Sequence, residues 1–210
     1  MLALGYDDDG ATMKHPLLDG IPAPPSTGRR PLDAYETPPW ATEALLDDLP
    51  CLTKTTTVIE PCAGDLAIVR VLASHVGEII TRDINPLTDA VELRDATEPW
   101  PRILLPTTWV ITNPPYNVAY AIMMAAWNAY GTLEPNIALL LRLSWLEPTV
   151  QKREFLVAHP PDRLIVLPRH SYTGTGKTDS VTSAWMIWSP LVAPGIRIVL
   201  DKRRSRRGTA

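Results

Sequence analysis

The chain has 210 residues, of which 45% are hydrophobic, 7% aromatic and 20% charged. That composition excludes a disordered polymer and a membrane-embedded protein, and it fits one domain with a full core. Proline, at 22 residues, is about twice its ~5% average usage. The net charge of −3 conceals a split: residues 202–210 carry five basic residues and no acid, so 1–201 hold 15 basic against 23 acidic residues, a net of −8.

Cys51 and Cys62 are too few for a disulfide scaffold and lack the spacing of a zinc site, and His15, His75, His159 and His170 have no ligand spacing either. No metal is expected. Asp7, Asp8 and Asp9 stand where a signal peptide would turn apolar. The longest apolar stretches, 119–127 and 137–141, fall short of the ~18 residues that suggest a membrane span. The reading is a soluble cytoplasmic chain in a reducing compartment, with no membrane partner.

Residues 1–33 hold Pro16, Pro22, Pro24, Pro25 and Pro31 among Gly, Ser and Asp without periodicity, which describes a flexible N-terminal arm. Residues 34–201 are expected to form the folded domain and 202–210 a basic disordered tail. Thr37 as N-cap and Pro38 at the first helical position open an amphipathic helix in which Ala41, Leu45 and Leu49 recur every four residues until Pro50. Val58 and Ile59 form a strand running into 60–65, after which Leu66, Val69, Leu72, Ala73 and Val76 make a helical face that stops at Gly77. A second strand covers 78–83, a weaker third 91–95 and a clear fourth 109–112; a helix over 118–130 follows, before Gly131. The nearly continuous apolar run 137–143 is the pattern of a central strand covered on both faces. A helix near 149–159 precedes strands at 163–167, 183–188 and 196–200. Strands alternating with helices imply βαβ units, a parallel sheet and helices on both faces. In such sheets ligands bind beyond the carboxyl ends of the strands, where strand order reverses.

The fourth strand ends in Asn113-Pro114-Pro115-Tyr116. Two consecutive prolines fix φ twice and supply no N–H, which makes the carbonyls of Asn113 and Pro114 a rigid acceptor cluster. With the Asn113 side-chain oxygen they offer acceptors to an amino group, and Tyr116 offers a face on which a flat ring can stack. The motif resembles the catalytic motif of the S-adenosylmethionine-dependent amino methyltransferases, above all the DNA adenine-N6 methyltransferases. Glu60-Pro61-Cys62-Ala63-Gly64-Asp65 resembles their cofactor loop, and Tyr35-Glu36-Thr37-Pro38 the short segment preceding it in the group without a separate large recognition domain between the two. The three matches come in the family's order and span about 35 to 116; Leu143-Ser144-Trp145-Leu146 and Ser171–Trp188 more loosely resemble small phage or prophage-like adenine methyltransferases.

The resemblance implies a Rossmann-like class I methyltransferase with a mostly parallel seven-stranded sheet, S-adenosylmethionine as cofactor and DNA as partner. It implies a catalytic set of Asn113, Pro114, Pro115 and Tyr116. The cofactor would be held by Tyr35, Thr37, Pro38, Glu60, Pro61, Cys62, Ala63, Gly64, Asp65, Asp83, Ile84, Asp95, Ala96 and Asn113. A strand-to-helix turn exposes backbone N–H groups suited to the cofactor's carboxylate. Asp83, ending the second strand, can accept from ribose hydroxyls, and Asp95 or Asp89 from the cofactor adenine. The family's second loop glycine would fall at Leu66, and leucine tolerates positive φ poorly. Because the target amine is inaccessible in a duplex, the base would be flipped out against Tyr116.

Thr173-Gly174-Thr175-Gly176-Lys177-Thr178 imitates a phosphate-binding loop but has Ser171 where that pattern needs glycine. It reads as a polar loop beside the cleft, with Lys177 and Arg169 for phosphates and Arg142 at the end of the buried strand. The five basic residues of 202–210 are the candidate DNA anchor of an otherwise acidic chain. The same chemistry on RNA or a protein glutamine, and a non-catalytic nucleic-acid-binding module on the same fold, are the rival readings.

Overall fold

The computed structural model describes residues 36–102, 105–169 and 181–200. The arm, Tyr35, Lys177, most of the glycine-rich loop and the basic tail lie outside these residues. In chain order the elements are α1 (Pro39–Leu46), β1 (Thr57–Glu60), α2 (Ala67–Leu72), β2 (Glu78–Asp83), β3 (Glu92–Leu93), β4 (Thr108–Thr112), α3 (Ala119–Tyr130), β5 (Ile137–Arg142), α4 (Arg153–Ala158), β6 (Arg163–Val166), β7 (Ser183–Trp188) and β8 (Gly195–Ile198).

One sheet of eight strands runs in the order β3-β2-β1-β4-β5-β7-β6-β8. The pairings are parallel except those of β7, which is antiparallel to both β5 and β6. The seven strands that the resemblance implied are corrected to eight: the strand read at 196–200 is β8, which pairs with β6 in parallel at the outer edge, Gly195 to Ile198 matching Arg163 to Val166. Strand order reverses between β1 and β4, which puts the ends of these two strands where such a sheet binds ligands.

The alternation of strand residues divides the core in two. Val58, Ile111, Leu140 and Trp185 pack with Ala41 and Leu45 of α1 and Ile68 and Leu72 of α2. Their neighbours Ile59, Val110, Leu139 and Met186 pack on the opposite face with Ile122, Met123 and Ala126 of α3 and Phe155 of α4. Period-two strands thus bury both faces, and the helices cover them as two outer layers. Trp185 Nε1 donates to the Ala41 carbonyl at 2.7 Å, fastening α1 to the sheet.

Local departures from expectation have local causes. α1 starts one residue later than its Thr-Pro signature implies: Pro38 is the N-cap, with φ −61° and ψ 140°, and Pro39 is the first helical residue. Pro38 is held extended because the residue before a proline avoids the helical region. Thr37 is therefore not the cap and is used elsewhere. α2 ends at Leu72, and the chain then turns through Ala73 to Val76 to Gly77. Gly77 N donates to the Thr56 carbonyl, and a side chain at Gly77 would lie 2.1 Å from the Lys54 carbonyl oxygen. α4 begins at Arg153 rather than near 149, since the Thr149 carbonyl takes the amides of Lys152 and Arg153 in a turn.

Candidate active site

The carboxyl ends of β1, β2 and β4 bring the quoted motifs together. Glu60 ends β1 in register with Thr81 of β2, and Ile59 pairs with Val110 of β4. Asn113 directly follows the last residue of β4. Its Nδ2 donates to Thr37 Oγ1 at 3.1 Å, across 76 positions of sequence. Thr37 is 3% exposed. The segment before α1 is thereby fixed against the Asn-Pro-Pro-Tyr turn. Among the described residues no backbone N–H reaches the Pro114 carbonyl, while the Pro115 carbonyl accepts from Val118 N at 3.1 Å as the chain enters α3. Pro114 is buried, and Pro115 and Tyr116 are half-buried.

The loop between β1 and α2 closes on itself. Ala63 N donates to the Arg82 carbonyl at 2.9 Å and Leu66 N to the Ala63 carbonyl at 2.7 Å. Gly64 N donates to Asp83 Oδ2 at 2.8 Å, and Ala67 N to Asp65 Oδ1 at 3.3 Å. The amides of 63, 64, 66 and 67, which the sequence offers to a carboxylate ligand, thus have acceptors inside the protein. Gly64 has φ 49° and Leu66 φ 64° with ψ 25°. Leu66 accepts the left-handed conformation because its side chain, 1% exposed, packs with Ala63, Val69 and Val91 in a small core of its own.

Acidic groups dominate this end of the sheet. Glu60 is 2% exposed, and its Oε2 is buried without a hydrogen-bond partner among the described residues, as is Asp65 Oδ2. Burial first, then the nearby carboxylates of Asp65 and Asp83, hold the Glu60 carboxyl well above the usual carboxylate range. Burial also pushes the half-buried Cys62 thiol up, with Asp83 adding to the effect, which disfavours its thiolate form. Asp83 serves the loop on both oxygens: Oδ2 takes Gly64 N, and Oδ1 takes Asn85 N at 2.8 Å. A carboxylate oxygen has a second lone pair, so these bonds leave acceptor capacity for a hydroxyl.

Asp95 sits just past β3, where its Oδ1 accepts from Thr97 N and Thr97 Oγ1 at 2.8 and 2.7 Å, which holds its carboxyl below the usual range. Ile84 is 57% exposed beside Asp83. Ala96 is buried against the α3 face of the core, and its carbonyl accepts from Trp100 Nε1.

Arg142 ends β5, and its guanidinium carbon lies 4.6 Å from the centroid of the Tyr116 ring. Arg169 is exposed just beyond β6, at the same edge of the sheet. Sequence reasoning missed Lys152, whose Nζ donates to the Trp145 carbonyl and stands 4.9 Å over the Trp145 ring, bracing the 3-10 turn Leu143–Leu146 beyond Arg142. A lysine between Gln151 and Arg153 reads as a solvated charge, so no local signal could have found it. Among the described residues no group of His, Cys, Asp and Glu could hold a metal, and no helix is long and apolar enough to cross a membrane.

No protein-family model matches the chain, and no curated protein aligns with it. Solved structures do resemble it. A modification subunit of a putative type I restriction enzyme from Vibrio vulnificus matches at TM-score 0.58 and 9% identity, covering 80% of this chain and 48% of that one. A putative class I S-adenosylmethionine-dependent methyltransferase from Listeria monocytogenes gives 0.56 and 11%, covering 87% and 69%. The 23S rRNA methyltransferase ErmE gives 0.51 and 15%, covering 82% and 74%. The chain thus spans about half of the restriction subunit and roughly three quarters of the rRNA methyltransferase. At these identities the likeness establishes architecture: the chain carries the α/β fold of the class I methyltransferases.

Proposed function

We propose that this protein transfers a methyl group from S-adenosylmethionine to the N6 amine of adenine in DNA. The observation that carries the reading is the Asn113 amide, which the Thr37 hydroxyl holds by its Nδ2 at the end of β4. That bond steadies the amide plane at the strand end, and the Asn113 side-chain oxygen and the Pro114 carbonyl are the two acceptors the reading assigns to the target amine. A flat exocyclic amine has its lone pair delocalised into the ring. Oδ1 and the Pro114 carbonyl accept its two N–H hydrogens, which draws the nitrogen toward tetrahedral geometry and aims its lone pair. Positioning and fixed dipoles supply the barrier reduction, and no covalent enzyme nucleophile takes part.

Bound S-adenosylmethionine supplies an electrophilic methyl on a sulfonium, and the residues present fit it. The unpartnered, buried Glu60 Oε2 and Asp65 Oδ2 are acceptors suited to its ammonium end. Asp83 accepts from the ribose, Asp95 from the adenine amine, and Ile84 supplies apolar surface for the ring. Thr37 and Pro38 form the wall toward Asn113. Tyr116 stacks the flipped base, while Arg142 and Arg169 meet phosphates at the same edge. Lys177 and the tail 202–210 are the further phosphate ligands proposed from sequence.

Nucleoside mass spectrometry of DNA from cells expressing the wild type or Asn113→Ala tests the proposal. N6-methyladenine is expected with the first and not the second; equal levels in both refute the site. The fold likeness to the rRNA methyltransferase ErmE favours RNA as the second reading. Methyladenine in the ribosomal RNA fraction alone would establish it.

A further inference from the structure

Glu60 is the most buried carboxyl among the described residues. It is 2% exposed, at the last position of β1, and its Oε2 has no hydrogen-bond donor among the described residues. The charged groups acting on it are Asp65, from the loop before α2, and Asp83, at the end of β2, both acids. The thiol of Cys62 feels Asp83 as well, together with Glu60 and Asp95. The nearest cation on β2, Arg82, is spent on Glu92 at 2.7 Å. A further negative charge, buried beside two acids and with no cation paired to it among the described residues, is what such a setting disfavours, so the neutral carboxylic acid is the stable form. A ligand bringing positive charge reverses that preference.

Resting on the cofactor reading above, we infer that the site is a proton-coupled trap for a cationic ligand: Glu60 is a neutral acid in the free protein and gives its proton to solvent when the ammonium and sulfonium of S-adenosylmethionine arrive. The O–H bond of the carboxyl breaks, the proton leaves to buffer, and the carboxylate left behind pairs with the bound cation. Binding therefore tightens as pH rises. Loss of the sulfonium charge after methyl transfer favours reprotonation, which assists release of the product.

Calorimetry of S-adenosylmethionine binding to the full chain, at pH 6 to 8 in phosphate and in Tris, reads the proton directly. The wild type should show a binding enthalpy that depends on the buffer's ionisation enthalpy, with close to one proton released at the low end. Its affinity should rise up to about tenfold per pH unit. Glu60→Gln should bind with no such release and a flat pH profile. Should that variant fold poorly, difference infrared spectroscopy of the wild type provides the second measurement. A protonated carboxyl band in the free protein should vanish on addition of S-adenosylmethionine. Saturable binding with no buffer dependence, or equal release from Glu60→Gln, overturns the coupling and leaves the cofactor reading standing. No binding at millimolar S-adenosylmethionine overturns both.

Discussion

Thr37 and Asn113, 76 positions apart, meet through one hydrogen bond of 3.1 Å from Asn113 Nδ2 to Thr37 Oγ1. The bond commits the Nδ2 end of the Asn113 amide to a residue buried at 3% exposure. In the proposed reaction Thr37 acts as a positioning residue.

Thr37→Ala should therefore lower kcat about 10–100-fold, the scale of a catalytic group held loosely rather than removed. Thr37→Ser, which retains the hydroxyl, should recover most of it. Steady-state kinetics separate this from general damage: the loss should fall on kcat, while the melting temperature stays near that of Thr37→Ser. A change confined to KM for the cofactor would make Thr37 a wall and nothing more.

The pair also marks where the sequence stops being informative. The central strands β4, β5 and β7 were readable because each is an apolar run, and β7 falls at 183–188 as the pattern requires. The ends of β1, β2 and β4 could be placed from acids and prolines that follow such runs. Thr37 could not, because Thr-Pro-Pro supports a cap at either of two positions, and the proline that follows Pro38 decides between them. Nor could the seat of Arg142 over Tyr116, since register across β4 and β5 is a tertiary fact. The loop amides looked available because a lone chain segment does not reveal that Asp83 and Arg82 lie ready to accept from them.

Leu66 combines a left-handed backbone, φ 64°, with a side chain at 1% exposure. The conformation costs a non-glycine residue roughly 1–2 kcal/mol, and the burial offsets it. Leu66→Ala removes the packing and keeps the strain, so it should cost about 2–5 kcal/mol. Leu66→Gly removes both and should be the more stable of the two by about 1 kcal/mol, the reverse of their ranking inside an ordinary helix. Urea unfolding with unchanged slopes would measure the difference; alanine more stable than glycine would contradict the assigned backbone.

Asp48 is clamped by Arg163 Nε and Arg197 Nη1, both at 2.7 Å, with its own side chain 10% exposed. The contact ties β6 and the extra strand β8 to the end of α1. Because the two arginines are 23% and 31% exposed, water offsets part of their loss of a partner. Asp48→Ala is thus expected to cost only about 1–3 kcal/mol. A double-mutant cycle with Arg197→Ala should give a coupling of about 0.5 kcal/mol or more. Additivity would show that Asp48 adds nothing to the other ties of Arg197, to Asp47 at 3.2 Å and the Ala44 carbonyl at 3.3 Å.

Glu60 gives the fold a pH dependence of definite sign. Its carboxyl is held above its ordinary value of 4.5 by burial and by Asp65 and Asp83. The folded state therefore binds the proton more tightly than the unfolded state does. The stability this contributes is complete below the unfolded value and is lost as pH rises through the higher folded value. Glu60→Gln cannot ionise, so its stability relative to the wild type should improve steadily from about pH 4.5 upward. The slope is limited to about 1.4 kcal/mol per pH unit for one group. Urea midpoints for both proteins between pH 4 and 8 would show it. Parallel profiles would mean that the wild-type Glu60 is ionised in the fold, and that the buried Oε2 has found a donor.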